Sequence, residues 1–151
     1  IIVGTGSLFA EMKSITENSG YEYKFHFTGS VAHELILGFQ LITDIYVSTN
    51  VDGNLTNANL EAISANSCMV IPKAQHEHFI DVKTSEYLSD CVLYFSVSDY
   101  EDLKDKILYL VNNPNEIKIL SEKLAEKKKT FMRSWDKRMH EELEIIDNLV
   151  S

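Results

Sequence analysis

The feature that most restricts the fold of this chain is a repeated switch of hydrophobic period. "IIVG" (1–4) is a continuous apolar run closed by glycine, and in "SLFAEMKSITENSG" (7–20) Leu8, Phe9, Met12 and Ile15 recur at helical spacing until Gly20. The same switch follows from "YKFHFTG" (23–29) to "VAHELILGFQ" (31–40), and from "DIYVST" (44–49) to "NANLEAISAN" (57–66). "CMVIP" (68–72) adds a strand, and "CVLYFSV" (91–97) leads into the helical "YEDLKDKILYLVNN" (100–113). Strands alternating with helices predict parallel β-α-β units, and runs apolar on both faces predict a sheet covered by helices on both sides. After residue 113 the pattern is helical throughout. "PNEIKILSEKLAEKKKTF" begins with proline and carries Ile117, Leu120 and Leu124 on one stripe, and "MRSWDKRMHEELEIIDNLV" is a second amphipathic helix. The expected fold class is α/β, a parallel sheet of about five strands flanked by helices, with further helices at the C-terminal end.

At 151 residues and 44% hydrophobic content, one sizeable core and a single domain are expected. With 14 Lys+Arg against 23 Asp+Glu, the electrostatic footprint of a nucleic-acid binder is missing, so no nucleic-acid partner is predicted. Cys68 and Cys91 are flanked by apolar residues and read as core packing in a reduced compartment. No apolar run is long enough to span a bilayer, and the opening residues do not form a secretory signal, which together predict a cytoplasmic location. The abrupt apolar start, "IIVGTG", suggests a piece of a longer chain.

In an open parallel sheet, ligands bind beyond the carboxyl ends of the strands, in the loops that enter the following helices. Four loops occupy such places: "GTGS" (4–7), "TGSV" (28–31), "STNVDGNLTN" (48–57) and "PKAQHEHF" (72–79). The third is crowded with short polar side chains where a single cap would serve. A helix N-terminus leaves amides unpaired and carries partial positive charge, so it can hold a phosphate without a basic side chain. In this reading Gly53 lets the backbone approach, Asn54 and Asn57 orient the loop, and the amides near Leu55, Thr56 and Asn57 face the anion. A plain Thr/Asn cap with a hydrogen-bonded turn explains the same residues. Glu61 lies about one turn after Asn57, on the face of the helix mouth, where its carboxylate can accept two hydrogen bonds from a vicinal diol such as ribose. A solvated first-turn glutamate favoured by the helix dipole is the alternative.

Several segments resemble, in order, the donor-binding domain of family 4 type retaining glycosyltransferases of the GT-B fold. "IVGTG" is similar to the family's "IVGxG" strand, "FHFTGSV" to "VxFxGxV", "TDIYVSTN" to "ADVFVxPS", and "LEAISAN" to "LEAMACG". "TFMRSWDKRMHEEL" resembles the terminal "FSW" helix, so the likeness covers nearly the whole chain. The resemblance implies a Rossmann-like sheet forming one half of a GT-B fold and a nucleotide-sugar donor, UDP- or GDP-linked, with no other cofactor. It further implies retaining transfer to a glycan or glycoconjugate acceptor, as in polysaccharide biosynthesis. On this likeness the family's first strand, with its basic pair, and the whole acceptor domain would precede Ile1, so the isolated chain is expected to bind nucleotide weakly and transfer little sugar.

The second glutamate of the family's Glu-x7-Glu motif, its ribose partner, maps onto Glu61. The first falls on Gly53, with Asp52 one position earlier as a substitute contact to the donor sugar, and "GNLTN" resembles the "SNLGN"-like loop of members that lack that glutamate. By the same likeness Gly4, Gly6, Gly29, Ser30 and Val31 line the nucleotide, the Ser30–Val31 turn through its backbone. His76 stands near the sugar. "PKAQHEHFI" departs from the family's "xxGGxxEVI", and with the Gly53 departure this motivates an alternative, a non-catalytic GT-B-like subunit that acts as a binding partner. "HEH" (76–78) has no third ligand at a recognisable metal spacing, so no metal is predicted. "EKKKTFMR" (126–133) reads as a solvated helix face or as a peripheral membrane contact.

Overall fold

The computed structural model describes residues 1–50, 55–74, 82–132 and 134–150. The elements in chain order are β1 (Ile2–Val3), α1 (Phe9–Glu17), β2 (Phe27–Gly29), α2 (His33–Leu41), β3 (Ile45–Val47), α3 (Asn57–Ser64), β4 (Cys68–Pro72), α4 (Val82–Leu88), β5 (Leu93–Phe95), α5 (Tyr100–Asn112), α6 (Pro114–Lys128) and α7 (Trp135–Val150). The protein is thus mixed α/β, and every described strand ladder is parallel. The chain divides into two compact units, Ile1–Phe39 and Gln40–Ser151.

The single sheet of about five strands is corrected. The strands form a two-stranded ladder, β1-β2, and a three-stranded ladder in the order β3-β4-β5. Local periodicity fixes the burial of each strand, whereas its hydrogen-bonding neighbours are set by non-local pairing that the period does not encode. Strand limits shrink for local reasons. "YKFHFTG" begins with a 3-10 turn at Glu22–Lys24, closed by Lys24 N–H to Tyr21 O (2.8 Å), and Lys24 lies over the Tyr21 and Tyr23 rings. "CVLYFSV" likewise starts inside a 3-10 turn, Ser89–Cys91. Helix α4 was not expected from the sequence, because "VKTSEYL" is short and has no clear apolar stripe.

In the first unit, Ile2 pairs with Phe27 and Val3 with Gly29, with an irregularity between the two pairs. Phe27 packs edge-on against Phe9 of α1 at 5.6 Å. None of the residues from Ile1 to Phe39 falls in the buried class.

The core lies in the second unit, around β4, whose five residues are all buried. Alternation along this strand sends Met69 and Ile71 to one side and Cys68 and Val70 to the other. Met69 and Ile71 meet Ala62 and Ile63 of α3, Leu88, Cys91, Val92 and Leu124. Cys68 and Val70 meet Phe95, Leu110 of α5 and Leu120 of α6. A strand covered by helices on both faces is what its unbroken apolar run predicts. Pro72, which cannot donate to a ladder, sits at the last position of this central strand, pairing with Phe95.

Candidate functional site

In the first unit the two glycine-containing turns are joined. Gly4 N–H donates to Gly29 O (2.9 Å), and the hydroxyls of Thr5 and Ser30 are 3.2 Å apart. Gly4 (φ 110°) and Gly29 (φ 68°) occupy the left-handed region that glycine tolerates best. Gly6 does not, and a Cβ there would meet open space, so its identity is not forced by the backbone. Ser30 is exposed and Val31 partly so.

In the second unit the loop after β3 is anchored where it leaves the sheet. Ser48 is buried, its N–H donates to Val70 O (3.0 Å), and its hydroxyl accepts from Asn50 N–H at 3.4 Å. Val51, Asp52, Gly53 and Asn54 lie outside the described residues, as does His76 with the rest of 75–81. The chain is next described at Leu55, which is 46% exposed. Thr56 is the N-cap of α3: its backbone is extended (φ −70°, ψ 160°), and its hydroxyl accepts from Asn59 N–H at 3.3 Å. Thr56 therefore does what the plain capping alternative asks, while the amides of Asn57 and Ala58, in the same first turn, belong to the set that a helix leaves without intrahelical partners.

Asn59 was missed in the sequence. It is fully buried, and its Oδ1 accepts a 2.8 Å hydrogen bond from the Tyr46 hydroxyl on β3. Burial raises the Tyr46 pKa; a hydrogen bond to the Ser48 side chain opposes this, and the nearby Glu61 carboxylate adds to it. Glu61 is partly exposed on α3. The clue was a lone asparagine two positions before Glu61, on the helix face that also carries Ala62 and Ile63, where apolar residues are the rule.

The far end of α3 is closed as firmly. Asn66 takes a left-handed conformation (φ 59°), with Ser67 N–H to Ala62 O (3.0 Å) and Asn66 N–H to Ile63 O (3.1 Å) forming a Schellman pair. Lys128 Nζ donates to Ser64 O at 2.8 Å, placing a cation on the negative end of the helix. Beyond the end of β4, Lys73 and Ala74 border an open cleft of about 430 Å³ shared with Ser85, Glu86, Asp90 and Tyr94. The Tyr94 hydroxyl donates to Ser85 O (2.8 Å) and ties the middle of α4 to β5. Among the described residues, no cluster of three or more His, Cys, Asp or Glu is placed to hold a metal ion, and no helix is long and apolar enough to cross a membrane. No protein-family model and no curated protein matches the chain.

Proposed function

We propose that this chain is the donor-nucleotide-binding half of a GT-B retaining glycosyltransferase, with a Rossmann-like core, and that the mouth of α3 holds a nucleoside diphosphate. The observation that carries the reading is the pairing of a capped helix N-terminus, at the carboxyl edge of a parallel sheet, with a carboxylate about one turn further on: Thr56 closes the cap and Glu61 stands on the same short helix. In this arrangement the first-turn amides take the phosphates and Glu61 accepts from the ribose hydroxyls, so charge and diol are recognised by different parts of one element. The cleft beside Lys73 opens at the same edge of the same sheet, since β3 and β4 run parallel, and its volume suits the sugar end of a donor. Transfer to a glycan acceptor follows from the family likeness of the "LEAISAN" and "TDIYVSTN" segments.

Calorimetric titration with UDP, GDP and ADP tests this. Saturable binding of one of them, weakened about tenfold or more by Glu61→Ala through loss of a charge-assisted pair of hydrogen bonds, is the expected result. Absence of binding by all three, or binding indifferent to Glu61, would overturn it and favour the non-catalytic GT-B-like partner suggested by the Gly53 departure.

A further inference from the structure

A buried amide and a hydroxyl withdrawn in part from water are costly against an apolar core unless they satisfy each other. Tyr46 and Asn59 do so. Tyr46 stands opposite Met69 in the β3-β4 ladder, packed against the cluster of Ala62, Ile63, Met69 and Ile71, and its hydroxyl reaches Asn59 Oδ1 at 2.8 Å. Apolar side chains around this pair would tolerate small rotations of α3 about its axis, because dispersion contacts have no fixed direction. The hydrogen bond from the half-buried Tyr46 hydroxyl to the buried Asn59 amide does have one. The Asn59 backbone N–H is held in turn by the Thr56 hydroxyl, so one residue is tied to the strand through its side chain and to the cap through its backbone. Glu61 is two residues further along the same helix, about 200° around it, and moves with any rotation of Asn59.

We propose that Tyr46 and Asn59 are a positioning pair that locks the rotation of α3 against β3 and thereby fixes where the Glu61 carboxylate meets its ligand. Neither residue touches the ligand in this scheme. The ligand-side consequence rests on the nucleotide-binding reading above; the lock itself does not.

The test uses Tyr46→Phe, which removes one oxygen and keeps the ring, and the double variant Tyr46→Phe/Asn59→Leu, which removes the whole polar pair. The first readout needs no ligand. Native-state hydrogen exchange is compared between amides late in α3 (Leu60, Ala62 and Ile63) and amides of β4, which report global opening. In Tyr46→Phe the α3 amides should exchange about fivefold or more faster relative to those of β4, the size expected for one net hydrogen bond. An unchanged ratio overturns the proposal whatever the protein binds.

The second readout is affinity for whichever of UDP, GDP or ADP binds. Tyr46→Phe should weaken it about threefold to tenfold and have little effect in a Glu61→Ala background, because the lock acts through that carboxylate. Equal losses in the two backgrounds would show that the pair does not act through Glu61 and would overturn that part. If the unaltered chain binds none of the three, the nucleotide reading fails by itself and the exchange ratio alone decides the lock. The double variant repeats the exchange test with both ends of the bond removed: its α3 amides should be at least as fast, relative to those of β4, as in Tyr46→Phe, and a ratio back at that of the unaltered chain would overturn the lock.

Discussion

The buried acids of the core are held in their neutral forms. Burial pushes the Cys68 thiol up from its ordinary 9.0 to about 11 and the Tyr94 phenol from 10.0 to about 12. A raised pKa in the folded state means that folding favours the protonated form, so this contribution is complete below the unfolded value and is lost as pH rises through the folded one. For Cys68 the window runs from 9.0 to about 11. The urea midpoint should therefore fall as pH rises through that window, and Cys68→Ala should flatten the early part of the decline. Since Cys68 is only 1% exposed and Cys91 only 6%, both thiols should also resist a thiol reagent near neutral pH until the protein unfolds.

Among the elements, α5 shows most clearly how a loop is tied to a helix. Asp99 caps it, its side chain accepting from Asp102 N–H at 3.0 Å, and Asp102 reaches back to accept from Ser96 N–H at 2.7 Å. The two carboxylates close the turn between β5 and α5 reciprocally, in the manner of a capping box displaced toward the strand. Asp99→Ala should cost about 1 kcal/mol in urea-induced unfolding, the usual worth of an aspartate cap. That turn was legible in outline, since an aspartate preceding "YEDLKDKIL" marks a helix start. The same holds for α3, α5 and α6, whose starts and apolar stripes are local properties of the chain.

Strand pairing was not legible, because it joins residues more than twenty positions apart, and the expected single sheet gave way to two ladders. Asn59 was missed for a related reason. A polar residue at a buried helical position reads as an error in the stripe until the Tyr46 hydroxyl is seen against it. Thr56 and Glu61, whose readings depend on sequence spacing alone, fall in the described part of the candidate site as a cap and a partly exposed carboxylate on one helix.

At the scale of the whole molecule, burial is distributed unevenly. Every residue in the buried class lies from Gln40 onward, whereas the first unit leaves Ile1, Leu8, Ile15 and Tyr23 each more than half exposed. Local stability follows buried apolar area, so amides of β1 and β2 should exchange far faster than those of β4. A chain beginning at Val31, which keeps α2 intact, should unfold cooperatively at a urea midpoint close to that of the full chain; a large drop would show that the core of the second unit does not stand alone.

The ladder order β3-β4-β5 has a further consequence, for the order of assembly. Ile45 pairs with Cys68, and Val70 with Leu93, so each ladder closes a chain segment of the same moderate length, and spatial neighbours are also neighbours in sequence. Chain closure grows costly only slowly with length, but contacts that skip over intervening strands slow folding markedly, and here none of the second unit's ladders skips one. During synthesis, β3 and α3 can wait for β4, and that three-part layer can receive β5, α5 and α6 as each emerges from the ribosome. Such a chain would gain structure stepwise from its middle toward its C-terminal end, with α6 completing both clusters of the core when Leu120 joins one and Leu124 the other.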